Sequence, residues 1–176
     1  MTATIDDLLR SSGLPRSEHA PPPAGVGAEV RRFYLHAGQL YAAGEPTEIV
    51  TILGSCVAVC LFDAARAIGG VNHFMLPGAG PTPSPRYAKD AVELLLSQLV
   101  ALGARRNRLE AKLFGGASVL KLGTDSSRDL GARNIEAARA KLVEERIPVV
   151  NEDVGGNRGR KLLFSTADGT ALVRQV

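Results

Sequence analysis

The segment TILGSCVAVCLFD, residues 51–63, constrains this chain more than any other stretch. Its valines and leucines read as a buried strand, and its β-branched residues argue against a helix. The step Gly54-Ser55-Cys56 breaks that pattern, because it sets a thiol behind two small residues at the entrance of an apolar run. Cys56 is therefore either packing or chemistry. Free cysteine is among the most buried residue types, so packing is the first reading, and Cys60 fits it well.

Spacing removes two further readings. Four residues along a strand span about 13 Å, too far for Cys56 and Cys60 to share a zinc ion or to form a disulfide. The C-x-x-x-C spacing also misses the thioredoxin pattern.

His73 supplies the case for chemistry. The polar break Ala64-Ala65-Arg66-Ala67 separates two strand-like runs, CVAVCLFD and IGGVNHFML. A tight hairpin centred between Ala64 and Ala65 would set Cys56 directly across from His73, on the same face. A slightly longer turn would slide the histidine along its strand without taking it far away. A neutral imidazole there would draw the thiol proton, form a thiolate–imidazolium pair and lower the cysteine pKa. Gly54 permits an unusual dihedral and Ser55 adds little bulk. Both are candidates for a loop whose backbone N–H groups meet an oxyanion or substrate.

The remaining sequence surrounds this run with more strands and two helices. RRFYLHAGQLYAAG offers two short strands and EIVTILGSC a third. PGAGPTPSPR, residues 77–86, holds four prolines and can be neither helix nor central strand. It is either a wall or lid of the site or a plain surface connection. Ala88, Ala91, Val92, Leu95, Leu99 and Leu102 recur at helical spacing, and Gly103 stops that helix. LEAKLF (109–114) alternates as a strand. A second helix is expected to start near Asn134 as its cap, with Ile135, Ala138, Leu142 and Val143 on one face and Pro148 beyond its end. PVVNEDV is a strand, and KLLFSTA and TALVRQV form a hairpin about Asp168-Gly169, a type I′ turn signal. The expected fold class is α/β: a sandwich with a mixed, largely antiparallel sheet and two main helices.

Composition limits the partners. At 176 residues the chain has the length of one domain. Residues 1–28, rich in proline, alanine and glycine, read as a flexible leader, and residues 29–176 as the single domain. The net charge of +3 is too small to imply nucleic acid. Arg105, Arg106, Arg108, Arg158 and Arg160 lack aromatic support, and read better as solvated charge. No apolar window is long enough to span a membrane, so no membrane insertion is expected. The opening MTATIDDLLRSSGLPR has acids where a signal peptide has bases, so the expected location is the cytoplasm, with reduced thiols.

Five stretches taken together, LGSCVAVCLFD, GGVNHFMLP, AKLFGGAS, GARNIEA and NEDVGGNRGR, closely resemble the chemoreceptor glutamine deamidases, the CheD family of bacterial chemotaxis. The resemblance runs from Phe33 to Val176. It implies a cysteine hydrolase that converts selected glutamines of methyl-accepting chemotaxis receptors to glutamates with release of ammonia. It implies no metal and no cofactor. It also implies a fold related to the deamidase domain of cytotoxic necrotizing factor toxins. The family nucleophile falls on Cys56 and the base on His73. In some relatives a threonine six residues before the cysteine supports the histidine. Here that position is Val50, and the nearest threonine is Thr51. In a regular strand Thr51 would face the other way; it is a candidate third member if a bulge near Gly54 restores it, and otherwise a backbone carbonyl serves instead. The rival reading is a non-catalytic adaptor that binds receptors or a CheC-type phosphatase, which in some relatives binds and restrains the deamidase.

Overall fold

The computed structural model describes residues 30–118 and 126–176, so the leader expected over 1–28 lies outside the described residues. The described chain forms nine strands and two α-helices: β1 Arg31–Tyr34, β2 Gln39–Ala43, β3 Thr47–Leu53, β4 Val57–Asp63, β5 Ile68–His73, α1 Ala88–Ala101, β6 Glu110–Gly115, α2 Ser126–Glu144, β7 Val149–Val154, β8 Arg160–Ser165 and β9 Ala171–Gln175. They build two sheets, in the orders β1-β3-β8-β9 and β2-β5-β4-β6-β7. The pairs β1–β3 and β6–β7 are parallel and the others antiparallel. The expected α/β class with largely antiparallel pairing holds, distributed over two sheets.

The central strand β4 explains the layering. Alternate side chains leave a strand on opposite faces. Val57, Val59 and Leu61 join the helices in one core with Val92, Leu95, Leu99, Leu113, Ala138 and Leu142. Ala58 and Cys60 join a second core between the sheets, with Ile49, Leu53, Phe114, Leu162 and Phe164. Burying each such large apolar side chain contributes about 2 kcal/mol. A strand buried on both faces has to be apolar throughout, which is why the run lacks alternation.

Helix α1 follows the expected stripe, with Ala88, Ala91, Val92, Leu95, Leu96 and Leu99 buried. Gly103 ends it in a left-handed conformation (φ +103), with Gly103 N–H donating to Val100 O and Ala104 N–H to Leu99 O. The loop over 77–86 is tied to this helix: Asp90 Oδ2 accepts from the N–H groups of Gly80 (2.9 Å) and Ser84 (3.1 Å).

Four expectations need correction. Helix α2 begins at Ser126, so Asn134 lies inside it and caps nothing. Its first half, SSRDLGAR, is polar and carries no apolar stripe, so periodicity revealed only the second half. The β4–β5 hairpin turns through Ala64–Ala67, with Ala67 left-handed (φ 51), and pairs Cys60 with Val71 and Val57 with Phe74. That register is two residues away from the one that sets Cys56 opposite His73. At Asp168-Gly169 only the glycine has a positive φ (+71), so the turn is not type I′. Thr166 lengthens that loop, because its N–H donates to Thr47 O (3.0 Å) and its hydroxyl to Glu45 O (2.6 Å). Finally, Arg160 is buried and donates through Nε (3.0 Å) and a terminal nitrogen (2.8 Å) to Asp153 Oδ1, so it is not solvated charge.

Candidate active site

Cys56 sits at a corner between the sheets. β3 ends at Leu53 in one sheet and β4 starts at Val57 in the other, and Gly54-Ser55-Cys56 makes the crossing. The 51–63 run is therefore two strands. Small residues are needed there because the opposing loop packs directly onto the corner backbone. Gly116 N–H donates to Cys56 O (2.8 Å) and Ala117 N–H to Gly54 O (2.8 Å). A Cβ on Gly115 would stand 2.3 Å from Cys56 O, and Gly115 holds φ +104, so only glycine serves there. The unusual dihedrals at the site thus belong to Gly115 and Gly116, and Gly54 does not take a positive φ.

His73 closes β5. Just past it, Phe74 pairs with Val57 through two backbone bonds of 3.1 and 3.0 Å. Extending that register by one residue on either side of the pair makes Cys56 and His73 diagonal neighbours, an offset of about 7–8 Å between backbones. The imidazole is buried, with 4% of its surface exposed. Its Nδ1 lies 2.8 Å from Thr51 Oγ1, and that hydroxyl lies 2.7 Å from Leu35 O. A carbonyl only accepts, so the single hydroxyl proton goes to Leu35 and Thr51 Oγ1 accepts from Nδ1–H. Nε2 then carries the lone pair. It is buried and has no hydrogen-bond partner among the described residues.

Thr51 reaches His73 because the chain changes sheets between them. Ile49, Thr51 and Leu53 alternate onto the inner face of β3, while Val50 lies on the opposite face. One continuous strand through Gly54 would turn Thr51 away from His73. The corner cancels that parity.

The electrostatics differ from the expected ion pair. Burial pulls the His73 imidazole down to about 4, with the nearby His36 acting in the same direction. Burial pushes the half-buried Cys56 thiol up, opposed by its own backbone N–H. These shifts favour a neutral thiol and a neutral imidazole over a preformed ion pair. Cys60 is deep in the inter-sheet core, with its thiol pushed far up by burial. Both cysteines are free.

One residue at the site was not found as functional from sequence. Asn134 of α2 is completely buried, and its Nδ2 donates to Ser55 O (3.0 Å) and Met75 O (2.9 Å). The available signal was a polar side chain next to the apolar face of a helix, which reads equally as a cap.

The family model described as CheD chemotactic sensory transduction matches residues 75–175. The chain is 48% identical over 173 residues to probable chemoreceptor glutamine deamidase CheD 1 of Anaeromyxobacter dehalogenans, covering 96% of this chain and 100% of that one. The chain belongs to the CheD family. Probable CheD deamidases of Trichlorobacter lovleyi (45% identity, 84% of this chain, 92% of that one) and Sulfurimonas denitrificans (39%, 84% and 96%) are similar over most of their length. A backbone likeness with TM-score 0.42 and 16% identity, over 67% of this chain and 49% of the other, is to the crystal structure of Bacillus licheniformis hypothetical protein YfiH. Among the described residues of this CheD chain, no helix is long and apolar enough to cross a membrane.

Proposed function

We propose that the protein is a cysteine-dependent amidohydrolase that converts glutamine side chains of methyl-accepting chemoreceptors to glutamates and releases ammonia. The substrate class is supported by the relatives, which are named chemoreceptor glutamine deamidases and are matched over nearly their whole length. The observation that carries the chemistry is the His73 ring, held at Nδ1 by Thr51 with Nε2 buried and unpartnered.

In this reading Cys56 Sγ adds to the side-chain amide carbon while its proton passes to His73 Nε2. The amide oxygen takes up the negative charge against backbone N–H groups of the Gly54-Ser55-Cys56 corner. The Nε2 proton then goes to the amide nitrogen, the C–N bond breaks, and ammonia leaves a thioester. Water gives a proton to Nε2 as its oxygen bonds to the thioester carbon. The C–S bond breaks, that proton returns to Sγ, and the glutamate carboxyl group departs. Thr51 keeps Nδ1 protonated throughout, so Nε2 is always the nitrogen that exchanges protons.

Residues 29–176 form the catalytic unit, and the cytoplasm is the compartment that keeps Cys56 reduced. A CheC-type phosphatase is the regulatory partner that the family resemblance supports. The test is mass spectrometry of purified chemoreceptors incubated with the protein, which should show amide-to-acid conversion at particular glutamines. Receptor binding without conversion would overturn the enzyme reading in favour of an adaptor.

A further inference from the structure

All three carbonyls of the Cys56 corner are captured by the protein. Gly54 O accepts from Ala117 N–H, Cys56 O from Gly116 N–H, and Ser55 O from the Asn134 side chain. Ser55 and Met75 present only acceptors to Asn134, so its NH2 group faces them and both of its protons are used. Met75 follows Phe74, the partner of Val57, so one amide ties the residue before Cys56 to the chain leaving His73. In a trans peptide the N–H points opposite to the C=O. Holding Gly54 O and Ser55 O against the protein therefore turns the Ser55 and Cys56 N–H groups the other way. No other residue among those described accepts from either N–H, and that of Cys56 lies against its own thiol.

Helix α2 is built to make this contact. A Cβ on Gly131 would lie 2.5 Å from Gly116 O, so the helix backbone packs directly on the loop that holds the corner. Asn134 is three residues further on, on the same helix face. The paired glycines of the 115–116 loop and the GARN stretch of α2 thus have one purpose between them.

We infer that Asn134 is the positioning residue of the oxyanion site, orienting the Cys56 N–H toward the charge that develops on the substrate amide oxygen, while the Ala117 N–H sets the Ser55 N–H through Gly54 O. The inference rests on Cys56 as nucleophile. Alkylation by iodoacetamide needs the thiolate but develops no oxyanion, so it separates this role from general support of the site.

The experiment compares full-length wild type, Cys56→Ala, Asn134→Leu and Asn134→Asp on one purified chemoreceptor. Each protein is followed by deamidation kinetics, iodoacetamide rate at Cys56 and thermal melting. Leucine keeps the branching and approximate volume of asparagine without donors, and aspartate keeps its shape with acceptors only. Both variants should lose about 100-fold in kcat with little change in KM, as for loss of an oxyanion donor. Their Cys56 alkylation rates should stay within about fivefold of wild type, since thiolate supply is unchanged. Wild-type kcat in either folded variant would overturn the inference. So would a parallel loss of alkylation, or failure of both variants to fold, because either would make Asn134 a general staple. An inactive wild type or an active Cys56→Ala would instead count against the deamidase and nucleophile readings beneath it.

Discussion

Thr51 Oγ1 lies 2.8 Å from His73 Nδ1 and spends its own proton on Leu35 O, 2.7 Å away. The imidazole is thereby held as the Nδ1–H tautomer, with the lone pair on the buried, unpartnered Nε2. Thr51→Val removes acceptor and donor together and frees the ring to rotate or to change tautomer. We expect kcat to fall at least about tenfold, as when a triad loses its orienting group. Thr51→Ser should keep most activity, and Val50→Thr, on the other face of β3, should gain none. A Thr51→Val enzyme with wild-type kcat would exclude the orienting role.

The two cysteines should separate cleanly. Cys56→Ala should abolish turnover and leave the melting temperature close to wild type, since the half-buried corner loses one sulfur atom. Cys60→Ala leaves a small void in the inter-sheet core. It should cost about 1 kcal/mol in stability and retain activity. Paired activity and denaturation measurements decide this, and an inactive, folded Cys60→Ala protein would reverse the assignment.

Acid stability should report His73. Its folded pKa of about 4 lies below its ordinary 6.5, so between these values the unfolded chain binds a proton that the folded one refuses. Stability is therefore complete above pH 6.5 and falls as the pH drops toward 4, by about 3 kcal/mol across that window. Chemical denaturation at several pH values should show this slope in the wild type and a shallower one in His73→Gln. Equal slopes would show that His73 titrates normally.

Cys56 should alkylate as a half-buried thiol without a preformed ion pair. Its pKa is pushed above 9.0, so in the absence of substrate the iodoacetamide rate should keep rising through pH 9. A rate already level between about pH 6 and 8 would reveal a preformed thiolate–imidazolium pair.

The strands and the first helix were legible because their signals are local. Apolar runs bounded by turn residues became β3 through β9, and Ala88 to Leu99 with Gly103 gave α1 nearly to the residue. Cys56 and His73 could be paired on paper because they lie on consecutive segments joined by a short turn. The exact register could not. It depends on Ala67 adopting φ 51, a conformation that alanine sequence does not advertise.

Thr51 and Asn134 mark the other boundary. The side to which Thr51 points depends on whether the chain continues past Gly54 or changes sheets, and that is decided by where β8 and β6 lie. Asn134 reads as a cap until α2 is seen to pack on the 115–117 loop, where its two donors meet carbonyls 79 and 59 residues away in sequence. The sequence by itself determined most element types and the apolar central strand, and it brought Cys56 and His73 forward as candidates, because each follows from local propensity and pattern. Only the tertiary structure decided which nitrogen of His73 meets Thr51 and which groups hold the carbonyls of the Cys56 corner. Hydrogen-bond partners of buried groups are chosen by packing between distant segments, and local pattern carries no record of that choice.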